Sequence, residues 1–140
     1  MKFLFIILLS LFSCKLSAQT FDTTKISVAT TNDSIFKMVE IEASFPGGEQ
    51  VWNKYVQQQL ELNIDKLVRN KKSFGTCVIQ FIVDKDGAIT NVEALTMKNS
   101  LLAKIIIKAI KDGPKWVPAF QDGRTVKAYR RQKVTFLAPD

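Results

Sequence analysis

Gly75-Thr76-Cys77-Val78-Ile79-Gln80-Phe81-Ile82-Val83 runs straight into Asp84-Lys85-Asp86-Gly87. Cys77, Ile79, Phe81 and Val83 share one side of the alternation, and Thr76, Val78, Gln80 and Ile82 share the other. A period of two with one wholly apolar side is the pattern of a strand lying on a core. Asp and Gly tolerate the positive φ that tight hairpins need. Asp84–Gly87 is therefore a turn, and Ala88–Thr96 is the return strand. Asp84 and Asp86 lack the spacing of an EF-hand loop, and the hairpin accounts for both.

Upstream of the hairpin, Phe45-Pro46-Gly47-Gly48-Glu49 breaks the chain and starts a helix, with Glu49 suited to its first turn. Val51, Trp52, Tyr55, Val56 and Leu60 follow at helical spacing, which predicts a helix over Glu49–Leu60. The motif lacks the lysine and serine of a phosphate loop, so it is read as structure. Asn63 to Phe74 is polar and basic and is read as a loop or a short helix.

Downstream, Asn99 or Ser100 caps a second helix, from Leu101 to about Lys111. Leu102, Ile105, Ile106, Ala109 and Ile110 form its apolar face, and Lys104, Lys108 and Lys111 form a basic stripe opposite. Gly113-Pro114 ends it. Lys115 to Ala119 is a rigid connection, Gln121-Asp122-Gly123-Arg124 a second turn, and Val126 to Leu137 the last strand.

The order helix-strand-strand-helix-strand predicts an α+β fold. It is a small two-layer sandwich, with a three-stranded antiparallel-type sheet and two helices on one face. A right-handed crossover that skips one position sets the last strand beside the first, at a sheet edge. Trp52 and Tyr55 are then helix-face core residues. Trp116 is a plug between the second helix and the last strand rather than a docking aromatic.

The N-terminus carries a different signal. Met1-Lys2 precedes the apolar run Phe3 to Leu9, and small residues surround Ser17-Ala18. This is the pattern of a secretory signal peptide over residues 1–18, too short to span a membrane. Residues 19–37, rich in Thr, Ser, Asp and Asn, form a flexible leader to a domain over residues 38–140. Export leaves two forms: cleavage after Ala18 releases the chain, whereas Leu11-Phe12-Ser13-Cys14 resembles a bacterial lipobox and would anchor it by lipid at Cys14.

Composition narrows the chemistry. About 120 residues beyond a signal suit one domain. With Cys14 in the signal, Cys77 stands alone, so no intramolecular disulfide is expected, and its apolar setting makes it a buried, inert thiol. The net charge of +7 falls to +5 without residues 1–18. There is no histidine, which excludes Ser-His and Cys-His catalysis and histidine-bound zinc. Glu40, Glu42, Glu49, Asp84, Asp86 and Glu93 show no spacing that pairs two carboxylates. No enzyme activity, metal or cofactor is expected, and no aromatic–basic interleaving supports nucleic-acid binding.

The ordered motifs resemble a known family. Phe45-Pro46-Gly47-Gly48-Glu49 with Tyr55, and the hairpin Val78–Val83 with Asp84–Gly87 and Ile89-Thr90-Asn91-Val92, are similar to the TonB C-terminal domain of Bacteroidetes-type energy transducers. Pro114–Ala119, Asp122–Val126 and Val134-Thr135-Phe136 complete the likeness, which spans about residues 38–138. The resemblance implies a periplasmic module that binds the TonB box of outer-membrane transporters by adding it to its last strand.

The short apolar run and leader differ from a transducer's anchor and long arm. They make a stand-alone binding module the expectation, with an outer-membrane transporter or other envelope protein as partner. Val126, Lys127, Ala128, Tyr129, Arg130, Arg131, Gln132 and Lys133 would form the peptide-binding edge strand. Lys127, Arg130, Arg131 and Lys133 either guard that edge against aggregation or frame a groove for an acidic peptide. The alternative is a structural envelope scaffold or a homodimer paired through the same edge. Membrane contact is expected only with lipid on Cys14.

Overall fold

In the computed structural model of the protein, nine residues of β1 (Gly75–Val83) form the spine of the fold. The structure describes residues 34–138, so the expected signal segment 1–18, Cys14 and residues 19–33 of the leader lie outside the described residues. The remaining elements are α1 (Glu49–Glu61), α2 (Ile64–Arg69), β2 (Ile89–Ala94), α3 (Leu101–Asp112), β3 (Ala119–Gln121), β4 (Arg124–Val126) and β5 (Ala128–Phe136).

Strand order is β2-β1-β5, antiparallel throughout, so the last strand lies beside the first at the sheet edge. The architecture is the expected small α+β layer of helices on a three-stranded antiparallel sheet. Cys77, Ile79, Phe81 and Val83 are all fully buried beneath Trp52, Leu67, Leu102, Ile106 and Ile110. Burying each large apolar side chain stabilises the fold by roughly 1.5–3 kcal/mol.

Local chemistry explains the helices. The Ser100 hydroxyl accepts from the Ala103 amide at 3.0 Å and caps α3. Leu102, Ala103, Ile105, Ile106, Ala109 and Ile110 of α3 are buried, while Lys104, Lys108 and Lys111 are exposed. Gly47 and Gly48, both at φ 85, bend the chain into α1 and set Phe45 in an aromatic cluster.

α1 and α3 are also tied by a polar contact: the Tyr55 hydroxyl donates to the Ala109 carbonyl at 2.9 Å. Burial, and next the charge of Asp112, push the Tyr55 pKa up, so the phenol keeps its donor throughout the neutral range. Tyr55→Phe is expected to lower unfolding free energy by about 1 kcal/mol, read as a shift in urea midpoint at constant m.

One detail sharpens the sequence reading and two differ from it. The polar stretch Asn63 to Phe74 resolves into α2 and one 3₁₀ turn, Lys71–Ser73, with Leu67 supplying its buried contact. The turn at Asp122-Gly123 (φ 49 and 75) is flanked by two three-residue strands, β3 and β4. Two successive positive φ values suit a tight two-residue hairpin loop. The expected continuous last strand from Val126 is broken at Lys127: Val126 pairs with Ala119 in the hairpin, and Ala128 starts the β1 partner.

Upstream, the segment before α1 is held by long-range backbone pairs. Ile41 and Phe120 exchange hydrogen bonds of 3.1 and 2.9 Å, and Ser44 and Val117 exchange bonds of 3.0 and 2.8 Å.

Candidate functional site

A three-stranded sheet has two edges, and they are built differently. β2 is short and irregular: Asn91 and Val92 both stand opposite Phe81, and Asn91 takes φ 50. A bulge of this kind twists an edge away from further pairing. β5 instead runs in unbroken register with β1, from Val83↔Ala128 to Gly75↔Phe136. Regular geometry on one side of β5 gives regularly spaced backbone groups on the other.

The alternation of those groups can be assigned. Lys127 C=O accepts from Phe36 N–H at 2.9 Å, and Tyr129 N–H donates to Phe36 C=O at 3.0 Å. Phe36 belongs to the outer flank, so Lys127 and Tyr129 turn their backbone groups outward, and the period of two extends this to Arg131, Lys133 and Thr135. Ala128, Arg130, Gln132, Val134 and Phe136 turn theirs toward β1. Among the described residues, the outward amides and carbonyls of Arg131, Lys133 and Thr135 have no backbone partner.

Side chains follow the pleat. Ala128, Arg130, Gln132 and Val134 lie on the helix side, opposite Val83, Phe81, Ile79 and Cys77. Tyr129, Arg131, Lys133 and Thr135 lie on the open side. Two hollows flank the edge. One, of about 480 Å³, is lined by Lys37, Glu42, Gln80, Tyr129, Arg130 and Arg131. The other, of about 100 Å³, lies between Gln132 and Arg130 of β5 and Ser44, Phe45, Glu49 and Trp52.

The four basic residues of this region do not act alike. Lys127 pairs with Asp84 at 3.4 Å, and its side chain is mostly buried. Arg130 pairs with Glu42, and its buried Nε has no hydrogen-bond partner among the described residues. Arg131 Nε donates to Gln80 Oε1 at 2.9 Å. Neither Arg131 nor Lys133 has a carboxylate partner among the described residues, and both are exposed. Positive charge available to a guest therefore lies at Arg131 and Lys133.

Of the eight residues expected to form the site, Ala128 to Lys133 lie on β5. Lys127 joins β4 to β5, and Val126 is buried in β4. Phe36, Lys37, Glu42, Phe45 and Trp52 border the edge without having been assigned to it from sequence. The stretch Ile35 to Ala43 is short and extended, and nothing local in it names β5 as its neighbour.

Cys77 is fully buried, its Sγ donates to the Thr96 carbonyl at 3.6 Å, and burial raises its pKa. That is the inert thiol expected from its alternating setting. Among the described residues no group of Cys, Asp or Glu is arranged to hold a metal ion. No helix among them is long and apolar enough to cross a membrane.

Comparison with known proteins identifies a family. The model of the family described as Gram-negative bacterial TonB protein C-terminal matches residues 66–137, just over half the chain, running from α2 to the end of β5. Residues 38–65, with the Phe45–Glu49 motif and α1, lie outside that match. No curated protein and no solved structure matches the chain.

Proposed function

We propose a function that starts from membership: the chain belongs to the TonB C-terminal family. It is a non-enzymatic protein-interaction module of the cell envelope, working in the periplasm after export. It binds an extended segment of an outer-membrane transporter or other envelope protein by strand addition along β5. Main-chain hydrogen bonds to Arg131, Lys133 and Thr135 supply affinity, and the flanking hollows supply selectivity. Arg131 and Lys133 favour a guest with acidic residues on its open side, an attraction that salt weakens.

The observation that carries this reading is the asymmetry of the edges: β2 is bulged, whereas β5 is straight, hollow-flanked and open over its second half. The rival reading is a homodimer or scaffold paired β5 to β5. Two copies paired antiparallel about Gln132 would set Arg131 of each copy against Lys133 of the other, and like charges directly opposite are destabilising.

The test is Arg131→Pro. Its amide points away from β1, so proline removes a guest-facing donor and leaves the β1–β5 ladder intact. A photo-crosslinker placed at Thr135 would identify envelope segments bound to the native chain by mass spectrometry. Arg131→Pro is expected to reduce that crosslinking at least tenfold, with a urea midpoint close to the native one. Undiminished crosslinking in a folded variant would refute the reading. A tight dimer by sedimentation at micromolar concentration, dissociated by the same proline, would establish the rival.

A further inference from the structure

The β5 edge already holds one strand residue, and it comes from this chain. We propose that Ser34–Lys37 is a tethered strand that closes the first rung of the edge and competes there with the guest. The inference rests on the strand-docking function proposed above and adds a gate to it.

Phe36 docks as a guest strand would. It makes a parallel bridge to Ala128, with hydrogen bonds of 2.9 Å to Lys127 and 3.0 Å from Tyr129. Its ring is half-buried and packs on the core cluster. Backbone pairing plus one anchored side chain are the two components of strand addition.

Among the described residues the hold covers only that rung. After Lys37 the chain leaves β5: Met38 is 87% exposed, and Ile41 pairs with Phe120 of β3 instead. Lys37 lines the larger hollow together with Tyr129 and Arg131, so a strand laid along the edge from Thr135 runs into the segment. A guest confined to Arg131–Thr135 leaves Phe36 in place. A guest reaching Lys127 must expel it and put a bulky apolar residue in its ring site.

The tether makes the competition strong despite the small contact. Bonds at Ile41 and Ser44 fix the segment's downstream end a few residues away, and a short tether gives an effective concentration in the millimolar range. A guest for the whole edge therefore binds with its affinity reduced by the fraction of time the rung is open.

The experiment uses the whole chain and a defined probe, an acetylated, fluorescent peptide with the sequence of residues 34–39 (Ser-Ile-Phe-Lys-Met-Val). Phe36→Ala removes the anchor. Phe36→Leu keeps a bulky apolar group and should preserve closure. In Phe36→Ala, Tyr129 amide exchange is expected to quicken at least tenfold, and the probe to bind at least tenfold more tightly than to the native chain. A probe with serine at the phenylalanine position should gain nothing, and Phe36→Leu should behave as native.

Unchanged Tyr129 exchange in a folded Phe36→Ala chain, or equal probe affinity for native and variant, would overturn the gate. If the gate fails while Arg131→Pro still abolishes envelope crosslinking, strand docking stands without it. If Arg131→Pro has no effect while Phe36→Ala behaves as expected, the edge is a self-docking site, and the envelope reading is what fails.

Discussion

Gly87→Ala is expected to destabilise the protein by at least about 3 kcal/mol, a fall in Tm of about 12–24 °C for a domain of this size. Gly87 takes φ 83 at the end of the Asp84–Gly87 turn, and a Cβ there would sit 2.1 Å from the Trp116 carbonyl oxygen. Both sides of that contact are fixed. Gly87 N–H donates to Asp84 C=O at 2.9 Å, and Trp116 N–H donates to Gly87 C=O at 3.0 Å. The neighbouring Lys115–Asp86 ion pair, at 2.9 Å, holds the same two segments together. Relief would require pulling the Trp116 backbone from the turn and losing these bonds. Gly123→Ala separates the two causes: Gly123 takes φ 75 but has open space around it, so it should lose only the roughly 1–2 kcal/mol of a left-handed alanine. Urea unfolding of both variants checks the difference. Equal losses would mean that the Trp116 contact relaxes.

The hairpin was legible in sequence because β1 is the central strand. Its helix side, Cys77 to Val83, is covered completely, so each inward position must be apolar, and even Ile82 on the open side is buried. β5 carries no such pattern. Its helix side alternates Ala128, Arg130, Gln132 and Val134, with Arg130 and Gln132 only half-buried because they border the hollows beneath Ser44, Phe45 and Trp52. α3 lies over β1 and β2, so the middle of β5 faces the hollow under Ser44, Phe45, Glu49 and Trp52 and not the apolar face of α3. Position in the element order identified that strand, and periodicity could not. β3 and β4, at three residues each, are shorter than any period-2 reading can register.

The candidate site was legible in outline and not in its electrostatics. Lys127, Arg130, Arg131 and Lys133 look equivalent along the chain, but Asp84 and Glu42 reach the first two from distant segments. The rung held by Phe36 is hidden for the same reason. Bridges between residues far apart in sequence leave no local trace, and a leader rich in Thr, Ser and Asp has no pattern that points at one strand. Of the expected residues, Arg131 and Lys133 turn backbone groups outward and have no carboxylate partner among the described residues, and Thr135, outside the expected set, continues that run.

Trp116→Ala is expected to lower unfolding free energy by about 3–5 kcal/mol, a large share of the roughly 5–15 kcal/mol available to a domain. Trp116 is 3% exposed. Its ring meets Phe81 at 4.8 Å, Trp52 at 5.4 Å and Phe45 at 5.7 Å, all edge-on. Each such contact adds about 0.5–1.5 kcal/mol beyond the area buried, and alanine would leave a cavity bounded by rigid rings that cannot collapse into it. The residue is a core plug as expected, but its ring contacts are with α1, β1 and Phe45 before α1, where the sequence predicts a place between the second helix and the last strand. It lines neither hollow of the β5 edge. Unfolding should move by several kcal/mol, and crosslinking of envelope segments at Thr135, measured well below the lowered Tm, should stay within about threefold of native. A variant of near-native stability that has lost its guest would make Trp116 a docking aromatic and move the site away from the β5 edge.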